Sequence, residues 1–120
     1  MAKIMAVEDR SETLVLMEKI LKRAGFKFVG CLSGEECLKL YKKENPDLVL
    51  LDIILPGIDG YTVFEKIKEI NPNQKIVFVS ALDIGPQAVK KLWKFGMPPY
   101  ISKPFDPDEL VNKVKEILRK

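Results

Sequence analysis

The chain has no histidine among its 120 residues. That absence excludes Ser-His and Cys-His catalysis, and any pathway that begins from a phosphohistidine made on this chain. Only two cysteines occur, Cys31 and Cys37. They form neither a disulfide framework nor a metal-ligand pattern, so both are read as reduced, structural thiols. No apolar run approaches the length of a membrane span, and the N-terminus lacks the features of a signal peptide. A cytoplasmic location, with no membrane contact, is therefore expected. The net charge of +3 comes from lysines scattered along the sequence without a dense basic cluster or a recognised binding motif, so no nucleic-acid partner is expected either. There is no linker, internal repeat or low-complexity tract. Residues 1–120 read as one domain, long enough to bury a core.

What is present is an alternation. Short apolar runs at Lys3–Val7, Phe26–Cys31, Asp47–Asp52, Lys75–Ser80 and Tyr100–Ser102 read as strands. A helical pattern follows each one. The first carries Leu14, Met17, Ile20, Leu21 and Ala24 and stops at Gly25. The second opens on a Ser33/Glu36 capping box and ends at Asn45-Pro46, with Leu38, Leu40 and Tyr41 along it. The third turns Val63, Phe64, Ile67 and Ile70 inward. The fourth starts near Pro86, bears Val89, Leu92 and Trp93, and ends at Gly96. The fifth has Asp106 as cap and Pro107 at its first position, with a stripe of Leu110, Val111, Val114, Ile117 and Leu118. Five rounds of strand then helix predict an α/β fold, a doubly wound parallel sheet with helices on both faces. Ligands of such sheets bind beyond the carboxyl ends of the strands.

The strand ends are where the sequence becomes specific. Leu48-Val49-Leu50-Leu51 is continuously apolar, as a strand covered on both faces should be, yet it runs into Asp52. A carboxylate there is costly unless it is paired or opens into a cleft. The first strand ends in Glu8-Asp9, the fourth in Ser80, and the fifth runs from Tyr100 to Lys103-Pro104. Three carboxylates brought together repel one another unless a cation joins them. An all-oxygen donor set without histidine or thiolate favours Mg²⁺, or Mn²⁺, over zinc. Mg²⁺ often shares its shell with a phosphoryl group, and a carboxylate can itself accept one. Lys103 and Ser80 would then engage phosphoryl oxygens. Singly, each residue has a plainer reading: Glu8-Asp9 as helix-capping acids, Ser80 as a loop hydroxyl, Lys103 as surface charge, Tyr100 as a strand aromatic, and Trp93 as packing, or as a partner contact if it stands on the rim of the fourth helix. Their joint placement carries the argument.

Taken together, Glu8-Asp9, Asp52 in "LLDIILPGIDG", Ser80 in "VFVSA", and Tyr100 with Lys103 in "YISKPF" resemble the receiver domain of bacterial two-component response regulators, over essentially the whole chain. The resemblance implies a flavodoxin-like fold with five helices and strand order 2-1-3-4-5. It implies that Asp52 accepts phosphate from the phosphohistidine of a histidine kinase or phosphotransfer protein. Asp9 and Asp52 would bind Mg²⁺ directly, Glu8 mainly through water, and the Ile54 backbone carbonyl would complete the protein ligands. Ser80 and Tyr100 would form a switch pair, read by a protein target on the face of the fourth helix, fifth strand and fifth helix. The Lys103-Pro104 peptide is often cis in the family. Activity would be limited to self-phosphorylation and slow self-dephosphorylation.

Departures from the family pattern lie at Glu8, where Asp is commoner, and at the apolar Ile54 and Leu82, two residues after Asp52 and Ser80. The run Met97-Pro98-Pro99 should stiffen entry to the fifth strand. Three alternatives stand beside this reading. A Mg²⁺-dependent phosphatase would want a second carboxylic acid where Ile54 lies. A pseudo-receiver binding partners constitutively would ordinarily lack an acid, the acceptor or the lysine. Flavin binding rests on fold alone. The chain is either a single-domain regulator acting through a protein partner or one domain of a longer protein.

Overall fold

The computed structural model describes residues 1–81 and 85–120, without the side chains of residues 85, 88 and 89. Leu82 and the Val89 side chain of the sequence argument therefore lie outside what is described. Five strands, β1 (Lys3–Val7), β2 (Lys27–Cys31), β3 (Leu48–Asp52), β4 (Lys75–Ala81) and β5 (Tyr100–Lys103), form one sheet in the order β2-β1-β3-β4-β5. Every neighbouring pair is parallel. The helices are α1 (Ser11–Arg23), α2 (Gly34–Glu44), α3 (Gly60–Ile70), α4 (Gly85–Lys94) and α5 (Pro107–Arg119).

The continuous apolar strands follow from burial on two faces. Successive residues point to opposite sides of a strand. In β1 and β3, Met5, Val7, Val49 and Leu51 join one core with Cys37, Tyr41, Phe64 and Ile67 of α2 and α3. Ile4, Ala6, Leu48 and Leu50 join the other, with Met17 and Leu21 of α1 and Leu110 and Val114 of α5. Register places β4 one pair further than its apolar run suggests: Ala81 lies opposite Lys103, so both strands reach the site. Asp47 stands outside β3 and accepts a hydrogen bond from the Lys3 backbone N–H at 2.7 Å.

Several sequence expectations shift at the helices. Ile70, expected inward, is 44% exposed in the last turn of α3. Trp93, expected to pack, is 68% exposed on α4, while Leu92 takes the core position. On α2 the buried positions are Gly34, Cys37 and Tyr41, with Leu38 and Leu40 only partly covered. Ala24 is the exposed cap of α1 and no core residue. Ser33 caps α2 by accepting from the Glu36 N–H at 3.1 Å, while Glu36 reaches back to the Leu32 N–H at 2.8 Å. After α4, the Met97 N–H donates to the Leu92 carbonyl and the Gly96 N–H to the Trp93 carbonyl, a Schellman closure that needs the left-handed φ of 80° at Gly96.

Candidate functional site

Parallel pairing brings the carboxyl ends of β1, β3, β4 and β5 side by side. Glu8 directly follows β1, and its N–H donates to the Cys31 carbonyl of β2 at 3.0 Å, which continues the ladder by one residue. Its side chain is only 1% exposed. Asp9 is exposed beside it. Asp52 closes β3 with 7% exposure, and Lys103 closes β5.

These four side chains meet. Lys103 Nζ donates to Asp52 Oδ2 at 2.8 Å and also to Glu8 Oε1. Carboxylate oxygens of Glu8, Asp9 and Asp52 lie within 4.8 Å of one another. One ammonium against three carboxylates leaves the group two negative charges in excess. Burial works against the Lys103 ammonium. The hydrogen bonds and charges of Asp52 and Glu8 outweigh burial and hold its pKa above the ordinary lysine value. The oxygen-only donors and surplus negative charge suit a hard divalent cation such as Mg²⁺.

The backbone around Asp52 is shaped by the loop that follows. The Ile54 N–H donates to Asp52 Oδ1 at 3.1 Å, and the Ile54 side chain is 73% exposed. Gly60 lies so close that a Cβ there would collide with the Asp52 carbonyl oxygen and come within 2.8 Å of Ile53 Cα. Its N–H donates to the Ile53 carbonyl at 2.9 Å. Gly57 takes a left-handed φ of 73°, and the Glu35 carboxylate from α2 accepts from the adjacent Ile58 N–H at 3.4 Å. In the sequence Gly57 and Gly60 stand only as part of the "LLDIILPGIDG" stretch, and Glu35 was missed. The tight return of the chain under Asp52 has no side chain to announce it.

Ser80 is buried at the end of β4, its hydroxyl donating to the Ala81 carbonyl at 3.3 Å. Tyr100 pairs with Phe78 rather than with Ser80 and is 43% exposed. It is thus not among the groups gathered at Asp52. The Lys103-Pro104 peptide is cis. Cys31 and Cys37 are both buried as free thiols, and their mutual hydrogen bond, then burial, pushes the Cys31 pKa up, as befits inert thiols.

Comparison with known proteins agrees with this geometry. The family model for the response regulator receiver domain matches residues 4–115. The alkaline phosphatase synthesis transcriptional regulatory protein PhoP of Bacillus subtilis is 35% identical over 118 residues, covering 98% of this chain and 49% of that protein. Sporulation initiation phosphotransferase F of Bacillus subtilis is 31% identical over 119 residues, covering 97% of this chain and 93% of that protein. The chain spans about half the length of the first curated relatives it matches. Among solved structures, a CheY-like receiver domain protein from Methanospirillum hungatei superposes with a TM-score of 0.91 at 28% identity, covering 99% of this chain and 94% of that one. The BeF3-activated DrrB receiver domain gives 0.86 at 31% identity, covering 100% and 99%. Among the described residues no helix is long and apolar enough to cross a membrane.

Proposed function

We propose that this chain, which belongs to the response regulator receiver domain family, is a phosphorylation-dependent switch whose phosphoryl acceptor is Asp52. The observation that carries the reading is the buried Asp52 carboxylate, bound to Lys103 and flanked by Glu8 and Asp9 at the end of a central strand. A carboxylate so placed is a nucleophile held in position.

An oxygen of Asp52 attacks the phosphorus of a phosphohistidine on a histidine kinase or phosphotransfer protein. The P–N bond breaks, its electron pair returns to the imidazole nitrogen, and that nitrogen takes a proton from solvent. Lys103, already 2.8 Å from Asp52, turns its ammonium to a phosphoryl oxygen as charge accumulates there. The Ile54 N–H, now on Asp52 Oδ1, keeps the carboxylate oriented. Glu8, Asp9, Asp52 and the Ile54 carbonyl would hold Mg²⁺ or Mn²⁺, which when bound supplies positive charge to the phosphoryl oxygens.

The phosphoryl group brings new charge and strong acceptors to a site where Ser80 offers a buried hydroxyl one strand away. Ser80 turns toward it, and the exposed ring of Tyr100 moves into the space released. The face of α4, β5 and α5 differs between the two states, and a protein target reads the difference. The phosphate biases two arrangements that already exist, so its effect is limited to its differential interaction with them.

The experiment is the intact mass after incubation with acetyl phosphate and Mg²⁺, beside an Asp52→Asn variant and an EDTA control. One phosphoryl adduct, absent from both controls, is the expected result. No adduct in any sample refutes the switch and leaves a constitutive binding module. Turnover of a small phosphoester points instead to a phosphatase.

A further inference from the structure

The Met97-Pro98-Pro99 run has no part in the phosphoryl site, yet it forms a wall of an apolar groove. The groove, about 740 Å³, lies at the opposite end of β4 and β5 from Asp52, where α3, α4 and α5 end. Phe64, Ile76 and Phe95 form its floor, and Met97, 40% exposed, stands at its lip. Lys68, Lys75, Lys94 and Lys120 rim it, and no Asp or Glu is among the described residues that line it.

Helix C-termini are the plain explanation for lysines in such a place. Each helix end carries about half a unit of negative charge, and three ends together with Glu116, whose carboxylate lies 3.8 Å from Lys120 Nζ, offset about two and a half of the four positive charges and leave an excess of about one and a half. Two of the lysines are also fixed in place. Lys68 Nζ donates to the Pro72 and Gln74 carbonyls, and Lys75 Nζ to the Leu118 and Lys120 carbonyls. The positive rim is therefore held by the fold and is not loose surface charge. Glu65 and Glu69 lie across Phe64 and Lys68 in the neighbouring hollow and bound the basic zone on that side.

We propose that this groove docks an acidic peptide segment of a protein partner, with an aliphatic or aromatic anchor on the Phe64–Ile76–Phe95 floor beside Met97 and carboxylates toward Lys94 and, in place of Glu116, toward Lys120. A nucleic acid fits the floor less well. Base stacking needs an open ring face, and here Phe64, Phe95, Tyr61 and Phe78 stack or tilt against one another at 5.1 to 5.7 Å. The rim offers lysine point charges, which attract carboxylates without demanding the planar fork of an arginine. An occupant would press on the segment that leads directly into β5, whose Pro99 carbonyl accepts from the Phe78 N–H at 3.0 Å. The proposal does not depend on phosphorylation.

The test is selection of random peptides of about twelve residues, long enough at roughly 3.3 Å per residue to cross the groove, against the full chain. Selected peptides are then mapped by amide chemical-shift changes. Enriched peptides should pair Asp or Glu with an apolar anchor and move the amides of Lys68, Lys75, Phe95 and Met97. The Lys94→Glu/Lys120→Glu variant, altered only at exposed side chains, should keep its spectrum and bind them roughly tenfold more weakly. No acidic enrichment, shifts centred on another face, or equal binding by the variant overturns the proposal. Displacement of the peptides by a single-stranded oligonucleotide at lower concentration would overturn it in favour of a nucleic-acid site.

Discussion

Replacing Lys103 by methionine tests the electrostatics of the site directly. Lys103 is bound to two buried carboxylates, with Asp52 Oδ2 at 2.8 Å and Glu8 as the second partner. At an effective dielectric constant of about 20, unit charges 2.8 Å apart attract by about 6 kcal/mol. Removing the ammonium forfeits that attraction and exposes Glu8 and Asp52 to each other. Their oxygens lie within 4.8 Å, a repulsion of about 3.5 kcal/mol on the same scale. Returning a partly buried ammonium to water recovers part of the loss. The net destabilisation expected is about 3 to 5 kcal/mol, the usual cost of stripping one partner from a buried pair. Urea unfolding at neutral pH measures it. Two controls separate charge from packing: added Mg²⁺ should shrink the loss, because the folded variant's carboxylates, freed of the ammonium, bind the cation more tightly than the folded wild type does, and an Asp52→Asn background should restore about 2 kcal/mol by removing one repelling charge. A loss below about 1 kcal/mol, or one of equal size with Mg²⁺ and in the Asp52→Asn background, would refute the reasoning.

Two further outcomes are open to direct measurement. Ile54→Asn together with Leu82→Glu, which change the two apolar departures from the family pattern to polar residues, should speed loss of a phosphoryl group from the phosphorylated chain by roughly tenfold, about 1.4 kcal/mol of barrier; an unchanged rate, followed by intact mass over time, counts against a part for these two positions in hydrolysis. Burial raises the pKa of Tyr41 and Tyr61 above the ordinary tyrosine value, so both bind their protons more tightly when folded, and the stability they supply is present below about pH 10 and lost as pH rises through the folded values. Absorbance at alkaline pH should therefore show them ionising together with unfolding, and free titration of all three tyrosines in the folded chain would contradict it.

How much of this was legible beforehand depends on whether a residue's role is local or collective. Strand runs, caps and stops are local: Ser33 and Asp106 cap the helices assigned to them, and Leu48 to Leu51 are apolar because both faces of β3 are covered. Alternation along the chain foretold a parallel sheet, and family resemblance supplied its order. The gathering of Glu8, Asp52 and Lys103 was legible because each stands at the end of a strand, where a parallel sheet must bring unlike segments together. Trp93 and Ile70 were misread for a complementary reason. Helical spacing shows which residues share a face, but only packing shows where that face stops; at α4 the core ends at Leu92, one residue before Trp93. Glu35 and Gly60 escaped notice because what they do is steric and backbone-directed. Gly60 matters through an atom it lacks, and only the proximity of the Asp52 carbonyl reveals why none can be there. A site whose charged members sit at predictable strand ends is thus held by neighbours whose contribution appears only when the chain is folded around them.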